Sequence, residues 1–159
     1  MVEVKKVPKI RFKQDDGSDF PEWQTKKLGD VIELVSGFPF KSDLFSDTGN
    51  KLVIPKNFTK NGFGDFSERT TKYTTESPEE KYICRSGDVL ILLTDLTQSC
   101  ELLGKPLMVR EKDGEVLLNQ RIVKVEKSKI NNHILTQFLL TSSNHKRIKE
   151  TSSGSTVRH

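Results

Sequence analysis

Residues 87–95, GDVLILLTD, contain the longest apolar run of the chain, at positions 89–93. A run of this length between Gly-Asp and Thr-Asp suits one buried β-strand, and it is far shorter than the about 20 apolar residues that a membrane-spanning helix needs. Gly87 and Asp88 are typical of a turn that precedes a strand. Residues 89–94 are therefore predicted to form a buried strand that leads into a polar loop.

Further short strands are predicted on both sides of this one. β-Branched and aromatic residues indicate strands within residues 51–55, 69–75, 107–111 and 115–125. The sequence KDG at residues 112–114 is typical of a hairpin turn, and we expect it to join the last two of these strands. Residues 23–31 are predicted to form a short strand followed by a one-turn helix.

The hydrophobic period changes towards the C-terminus. Ile134, Leu135, Phe138 and Leu139 fall at helical spacing, which predicts a helix within residues 131–140. A second helical segment is predicted at residues 144–149. We therefore predict an α+β fold, a single domain of many short strands with long polar loops and a helical C-terminal part. It covers residues 20–159, and an extended N-terminal arm covers residues 1–19.

Composition narrows the class of function. The chain has 159 residues, 33% of them hydrophobic and 30% charged, with a mean hydropathy of -0.54 and a formal net charge of +4. These values predict one soluble domain, and the positive charge suits a polyanionic partner. Cys84 and Cys100 are the only cysteines, so we expect reduced thiols in a cytoplasmic protein.

Residue patterns of known catalytic sites are missing from the sequence. Gly62 and Gly64 lack the spacing and the following Lys-Ser/Thr of a phosphate-binding loop. His133, His145 and His159 do not have the spacing of zinc ligands. We therefore predict no catalytic residue, no metal site and no cofactor, and we expect a binding protein rather than an enzyme.

The polar loops contain the residue types that contact DNA. Lysine and arginine bind phosphates and guanine, and asparagine and glutamine bind adenine. The same residues also form turns and solvated surfaces in proteins of every class, and this reading stays open for Asn57 and Asn61. For residues 119–121, NQR, a structural role between two strands is favoured over contact with a base. The late cluster of Lys146, Arg147 and Lys149 is favoured as a solvated surface.

The sequence contains six short phrases in a characteristic order and spacing. They are EWQTKKLGD at 22–30, GFPFKS at 37–42, GDVL at 87–90, LTDLTQ at 93–98, NQ at 119–120 and SGST at 153–156. Together and in this order they resemble a target recognition domain from the specificity subunit of a type I restriction-modification system. The resemblance covers about residues 20–159.

The resemblance implies a function and a set of partners. Such a domain binds double-stranded DNA in a sequence-specific manner, reads one half of a bipartite target and does no chemistry itself. The subunit directs methyltransferase and restriction subunits through conserved helices that join two such domains. The helical spacer region is missing after residue 159, so these partners would bind through regions largely absent from this chain. The resemblance implies a cytoplasmic location away from membranes.

Three loops are expected to line the DNA surface, at residues 37–42, 56–64 and 94–105. We predict phosphate contacts from Lys41, Lys60 and Lys105, and base contacts from Asn61, Thr97 and Gln98. The full set of candidate DNA-binding residues comprises Lys41, Ser42, Lys56, Asn57, Lys60, Asn61, Thr94, Thr97, Gln98 and Lys105. Two alternatives stay open: a protein-interaction module whose basic surface meets an acidic protein, and a metal-dependent nuclease.

Overall fold

The predicted buried strand lies at the centre of a four-stranded sheet in the computed structural model, which describes residues 10–22, 24–95 and 99–153. This strand is β6 (Val89–Leu92), with all four residues buried. It pairs antiparallel with β7 (Pro106–Met108) and with β9 (Ile122–Ser128). β1 (Ile32–Ser36) pairs antiparallel with the other side of β9 and completes the order β1-β9-β6-β7.

The remaining strands form a second sheet, of five short strands in the order β2-β4-β3-β8-β5. Its pairs are antiparallel except that β3 and β8 run parallel where Leu52 faces Leu117. The bounds of these strands are β2 (Phe45–Ser46), β3 (Asn50–Leu52), β4 (Lys72–Thr74), β5 (Ile83–Cys84) and β8 (Val116–Leu117).

The two faces of β6 bury different parts of the core because successive side chains of a strand point to opposite sides. Leu90 and Leu92 pack with Cys84 and Val116 of the second sheet. Val89 and Ile91 pack on the other face with a cluster that includes Leu135 and Leu139 of the first α-helix. The first sheet is therefore enclosed between the second sheet and a helix, and each fully buried Leu or Val contributes roughly 1.5–3 kcal/mol.

The C-terminal part is helical, as predicted. α1 (Asn132–Leu140) begins after Asn131, whose side-chain oxygen accepts hydrogen bonds from the backbone N–H groups of His133 and Ile134. Thr141 is extended and separates α1 from α2 (Ser142–Thr151). Its hydroxyl caps the second helix by accepting from the N–H of Asn144. With the two sheets, these helices confirm the predicted α+β class.

The predicted hairpin at residues 112–114 is wrong. β7 pairs with β6, and β8 pairs with strands of the second sheet, so the turn connects the two sheets. Residues Glu111–Asp113 form a 3-10 helix instead, because the buried carboxylate of Asp113 accepts hydrogen bonds from the backbone N–H and the guanidinium of Arg110. The predicted strand 115–125 is also divided, since residues 119–121 form a turn between β8 and β9.

Shorter elements complete the structure. Residues 24–27 form no strand, and a 3-10 helix, Leu28–Asp30, precedes β1. Three other 3-10 helices cover Ser42–Leu44, Pro55–Asn57 and Glu80–Tyr82. Within the predicted arm, residues 10–19 are mostly exposed and turn back through a bridge between Lys13 and Asp19. Among the described residues, no helix is long and apolar enough to cross a membrane.

Candidate nucleic-acid interface

One end of the first sheet carries three of the chain connections. Leu92 at the end of β6 faces Ile122 at the start of β9, and Ile91 faces Pro106 at the start of β7. Ser36 at the end of β1 faces Val123. The loop after β1, the loop from β6 to β7 and the turn before β9 therefore emerge side by side. We call this end of the sheet the loop end.

The loop after β1 is fixed at the loop end by backbone contacts. The N–H of Gly37 donates to the carbonyl of Ile122, and the N–H of Phe38 donates to the carbonyl of Leu118, both at 2.9 Å. A β-carbon on Gly37 would lie 1.9 Å from the carbonyl oxygen of Asn119, so only glycine allows this approach. Phe40 is buried against Leu52 and Leu117 of the second sheet.

Lys41 and Ser42 follow Phe40 and are both exposed. The backbone N–H of Lys41 donates to the carboxylate of Glu76 at 3.2 Å, which ties this position to the segment after β4. Ser42 begins a 3-10 helix. Both side chains are accessible to a ligand, on the second-sheet side of the loop.

The loop from β6 to β7 contains exposed, buried and undescribed candidates. Thr94 and Asp95 are buried, and the carboxylate of Asp95 accepts a hydrogen bond from the N–H of Leu102 at 2.9 Å. Thr97 and Gln98 lie outside the described residues. Lys105 is only 9% exposed, and its ammonium lies 3.5 Å from the carbonyl of Leu140. Burial, and secondarily the charge of Lys60, lowers the pKa of Lys105.

The loop at residues 56–64 reaches the same region through Lys60. Its ammonium forms an ion pair with the carboxylate of Glu101 at 2.5 Å, and both side chains are largely exposed. Lys60 thereby lowers the pKa of Glu101. Gly62 packs against Thr136 and Leu140 of α1, so this loop is held between the helix and the loop from β6 to β7.

The other candidates of this loop have different surroundings. Lys56 is exposed on a 3-10 helix. Asn57 is fully buried: its side-chain oxygen accepts from the N–H of Ile54, and its amide donates to the carbonyls of Asp65 and Thr70. Asn57 therefore supports the loop from inside, which agrees with the structural role that the sequence had left open for it. Asn61 is exposed, and its side-chain oxygen closes a turn by accepting from the N–H of Phe63.

A basic cavity lies beside the loop end, and sequence reasoning missed it. Its volume is about 440 Å³, and its lining joins Lys105 to residues of α2, namely Ser142, His145, Lys146, Lys149 and Glu150. The ammonium of Lys149 donates to the carbonyl of Ser99 at 2.6 Å. One ring nitrogen of His145 is 2.9 Å from the carbonyl of Cys100. These bonds hold the helix against the loop from β6 to β7.

The described residues that line the cavity carry more positive than negative charge. Lys105, Lys146 and Lys149 contribute three ammonium groups, against the carboxylate of Glu150, which lies 3.8 Å from Lys146. The low exposure of Lys105 makes its charge costly unless an anion approaches. The three-residue spacing of Lys146 and Lys149 indicated that their charges lie close together on one helix. Only the tertiary fold brings Lys105 to them.

The described residues contain no group of three His, Cys, Asp or Glu side chains that could hold a metal ion. Burial, with a smaller contribution from Asp88, raises the pKa of the Cys84 thiol to about 12. A thiol with such a pKa is protonated and poorly nucleophilic at neutral pH. The exposed lysines and amides of the described loops are suited to binding anions and polar groups.

Comparisons with known proteins place the chain in a family. The family model described as "Type I restriction modification DNA specificity domain" matches residues 21–159. The specificity subunit of the type I restriction enzyme MjaVIII from Methanocaldococcus jannaschii is 26% identical over 139 residues, a match that covers 82% of this chain and 31% of that protein.

Solved structures show the same fold. A chain from a type I restriction-modification system, studied for its complex assembly and conformational transition, matches with a TM-score of 0.53 and 17% identity, over 80% of this chain and 30% of its own. The HsdS subunit from Thermoanaerobacter tengcongensis matches with a TM-score of 0.50 and 19% identity, over 81% of this chain and 33% of its own. The chain thus spans about a third of these relatives. Because the family model covers most of its length, the chain belongs to the type I restriction modification DNA specificity domain family.

Proposed function

We propose that this domain binds double-stranded DNA sequence-specifically and reads one half of a bipartite target for a type I restriction-modification system. The observation that carries the proposal is the convergence of three connections at the loop end, next to a cavity lined by three lysines. Loops on a rigid sheet can hold polar side chains at fixed positions, and lysines beside them can bind the phosphate backbone. Family membership supports this assignment.

The proposed site divides into phosphate and base contacts. Lys60 and Lys105, together with Lys146 and Lys149, contact phosphates on one side of the loop end, and Lys41 does so on the side of the second sheet. Asn61, Thr97 and Gln98 contact base edges, because side-chain amides and hydroxyls can pair with them. Ser42 and Lys56 are exposed and complete the proposed surface, whereas Thr94 is buried at the start of its loop and Asn57 supports its loop from inside.

The domain itself is proposed to be non-catalytic and to act in the cytoplasm. Methyltransferase and restriction subunits are its proposed partners, through parts of the specificity subunit that lie outside this chain. This division follows from the share of the relatives that the chain covers, about a third. Binding through one domain lacks the avidity of two linked domains, so isolated binding is expected to be measurable at low salt.

Removal of one proposed phosphate contact tests the basic cavity. We expect Lys146→Gln to weaken binding to every duplex and to reduce the slope of log K against log salt by about 1, since each neutralised phosphate contributes about 0.9 to that slope. Fluorescence anisotropy over a salt series gives the slope. Lys112→Gln is the matched control, because Lys112 lies on the 3-10 helix beyond the opposite end of β7. An equal loss of slope in both variants contradicts the proposed location of the DNA.

A further inference from the structure

We propose that Arg121 is a DNA-contacting residue, which the turn at residues 119–121 holds in a fixed position at the loop end. The inference rests on the proposed function and adds a residue that the sequence patterns had assigned to structure. Its ligand is a pair of acceptor atoms on DNA, either two phosphate oxygens or the O6/N7 edge of guanine. A planar guanidinium can donate to such a pair through two parallel hydrogen bonds.

The backbone of Arg121 is in the left-handed region, with a φ of 71°. Among the described residues, Cys100 is the one other non-glycine residue with positive φ. A β-carbon is disfavoured in this region, and glycine or asparagine would occupy it more easily. Unfavourable backbone geometry of this kind concentrates at functional sites, where the position of the side chain has a use that outweighs the strain.

Two neighbouring segments hold the turn in this conformation. The N–H of Leu93 donates to the carbonyl of Arg121 at 2.9 Å, from the start of the loop between β6 and β7. The N–H of Gln120 donates to the carbonyl of Phe38 at 2.9 Å, from the loop after β1. Gly37 touches the backbone of Asn119 directly. The Arg121 backbone is therefore fixed from both sides, between two loops of the proposed DNA surface.

The side chain of Arg121 is exposed. Within the described residues, neither a hydrogen bond nor an ion pair engages its guanidinium, whereas the guanidiniums of Arg85 and Arg110 are bound to carboxylates. A residue that served only to close the turn would not need a guanidinium. The backbone of Arg121 is fixed and strained, and the N–H donors of its guanidinium have no partner among the described residues. Both features fit a DNA ligand.

Two substitutions separate a binding role from a structural one. Arg121→Gly and Arg121→Asn remove the guanidinium and replace it with residues that accept positive φ. We expect both variants to keep or raise the midpoint of thermal unfolding and to weaken DNA binding by about tenfold, the effect of losing a charged bidentate contact. Arg121→Lys should recover only part of the affinity, since lysine keeps the charge without the planar fork.

The binding assay uses two probes, a random-sequence duplex pool and duplexes that the wild-type protein enriches from it. A loss shared by both probes supports a phosphate contact, and a loss confined to the enriched duplexes supports a guanine contact. Arg69→Asn, at an exposed arginine before β4, is the control for the change of charge. Wild-type affinity in the glycine and asparagine variants overturns the inference, as does an affinity loss that comes with a parallel drop in thermal stability. Failure of the wild-type protein to bind either probe overturns the proposed function itself.

Discussion

Gly37 joins two of the loops at the loop end because its missing side chain lets two backbones touch. Any β-carbon at this position would overlap the carbonyl of Asn119, and neither backbone can move without breaking the hydrogen bonds between Gly37 and Ile122 and between Gln120 and Phe38. The sequence phrase around Gly37 is one of the six that together resemble the family, but it did not reveal this contact, which depends on a segment about 80 residues away.

Substitution of this glycine should therefore destabilise the domain. We expect Gly37→Ala to lower the free energy of unfolding by roughly 1–3 kcal/mol, the usual range for an overpacked site. Denaturant unfolding followed by circular dichroism measures the change. Gly29→Ala is the control, since a β-carbon there would meet no atom within 4 Å and the backbone is not left-handed. A similar, small effect at both positions would show that the loops can separate easily.

Lys60 and Gln98 should differ in how they affect sequence preference. Alanine at Lys60 removes a proposed phosphate contact, so it should weaken binding to all duplexes alike and flatten the salt dependence. Alanine at Gln98, which lies outside the described residues, should relax the preference at one base pair by about 1–3 kcal/mol. Competition binding with single-base variants of an enriched duplex measures both effects. Equal losses on every sequence for both variants would refute this division of roles.

The raised pKa of Cys84 predicts how the free energy of unfolding changes at alkaline pH. Its pKa in the folded protein is raised by burial to about 12, whereas an unfolded thiol ionises near 8.5. Above about pH 9 the unfolded state loses this proton and the folded state keeps it, so the free energy of unfolding should decrease by up to ~1.4 kcal/mol per pH unit. Denaturant unfolding at pH 8 to 10 checks this against Cys84→Val. Identical pH dependence in the two proteins would contradict the buried, protonated thiol.

At the level of elements, local patterns predicted the helices and the buried strand, and failed where pairing is non-local. The apolar spacing in residues 132–140 and the Asn131 cap are both local features, so α1 could be predicted. The KDG turn has the chemistry of a hairpin, but Arg110 and Asp113 form a local ion pair that favours a 3-10 helix. β7 and β8 then enter different sheets, which no local pattern indicates.

The cap of α1 can be tested separately. Asn131→Ala removes the acceptor for the N–H groups of His133 and Ile134, so we expect it to lower the free energy of unfolding by about 1 kcal/mol. Thermal or denaturant unfolding measures this loss. Gln137→Ala, at an exposed position inside the same helix, is the control and should have little effect, since alanine is a good helix former. Unchanged stability in Asn131→Ala would mean that water replaces the cap.

At the scale of the whole molecule, the loops could be predicted and their convergence could not. Residue types and the family resemblance, which the match over residues 21–159 confirms, selected the loops at 37–42, 56–64 and 94–105. The loop after β1 meets the loop from β6 to β7 at one end of the first sheet because β1 pairs with β9, whose partners are some 90 residues apart. Packing of α1 and α2 against the loop from β6 to β7 buries Lys105 and brings Lys146 and Lys149 to the cavity, so residue type alone did not show their surroundings.

The central claim, that this domain reads DNA sequence through the loop end, is tested most directly by a randomised-duplex selection. The selection is made with the wild-type protein at low salt and repeated near physiological salt. We predict enrichment of one short motif that persists at the higher salt, because base contacts do not depend on counterion release as phosphate contacts do. Binding that shows no sequence preference and disappears with added salt would contradict the claim and leave only a basic surface.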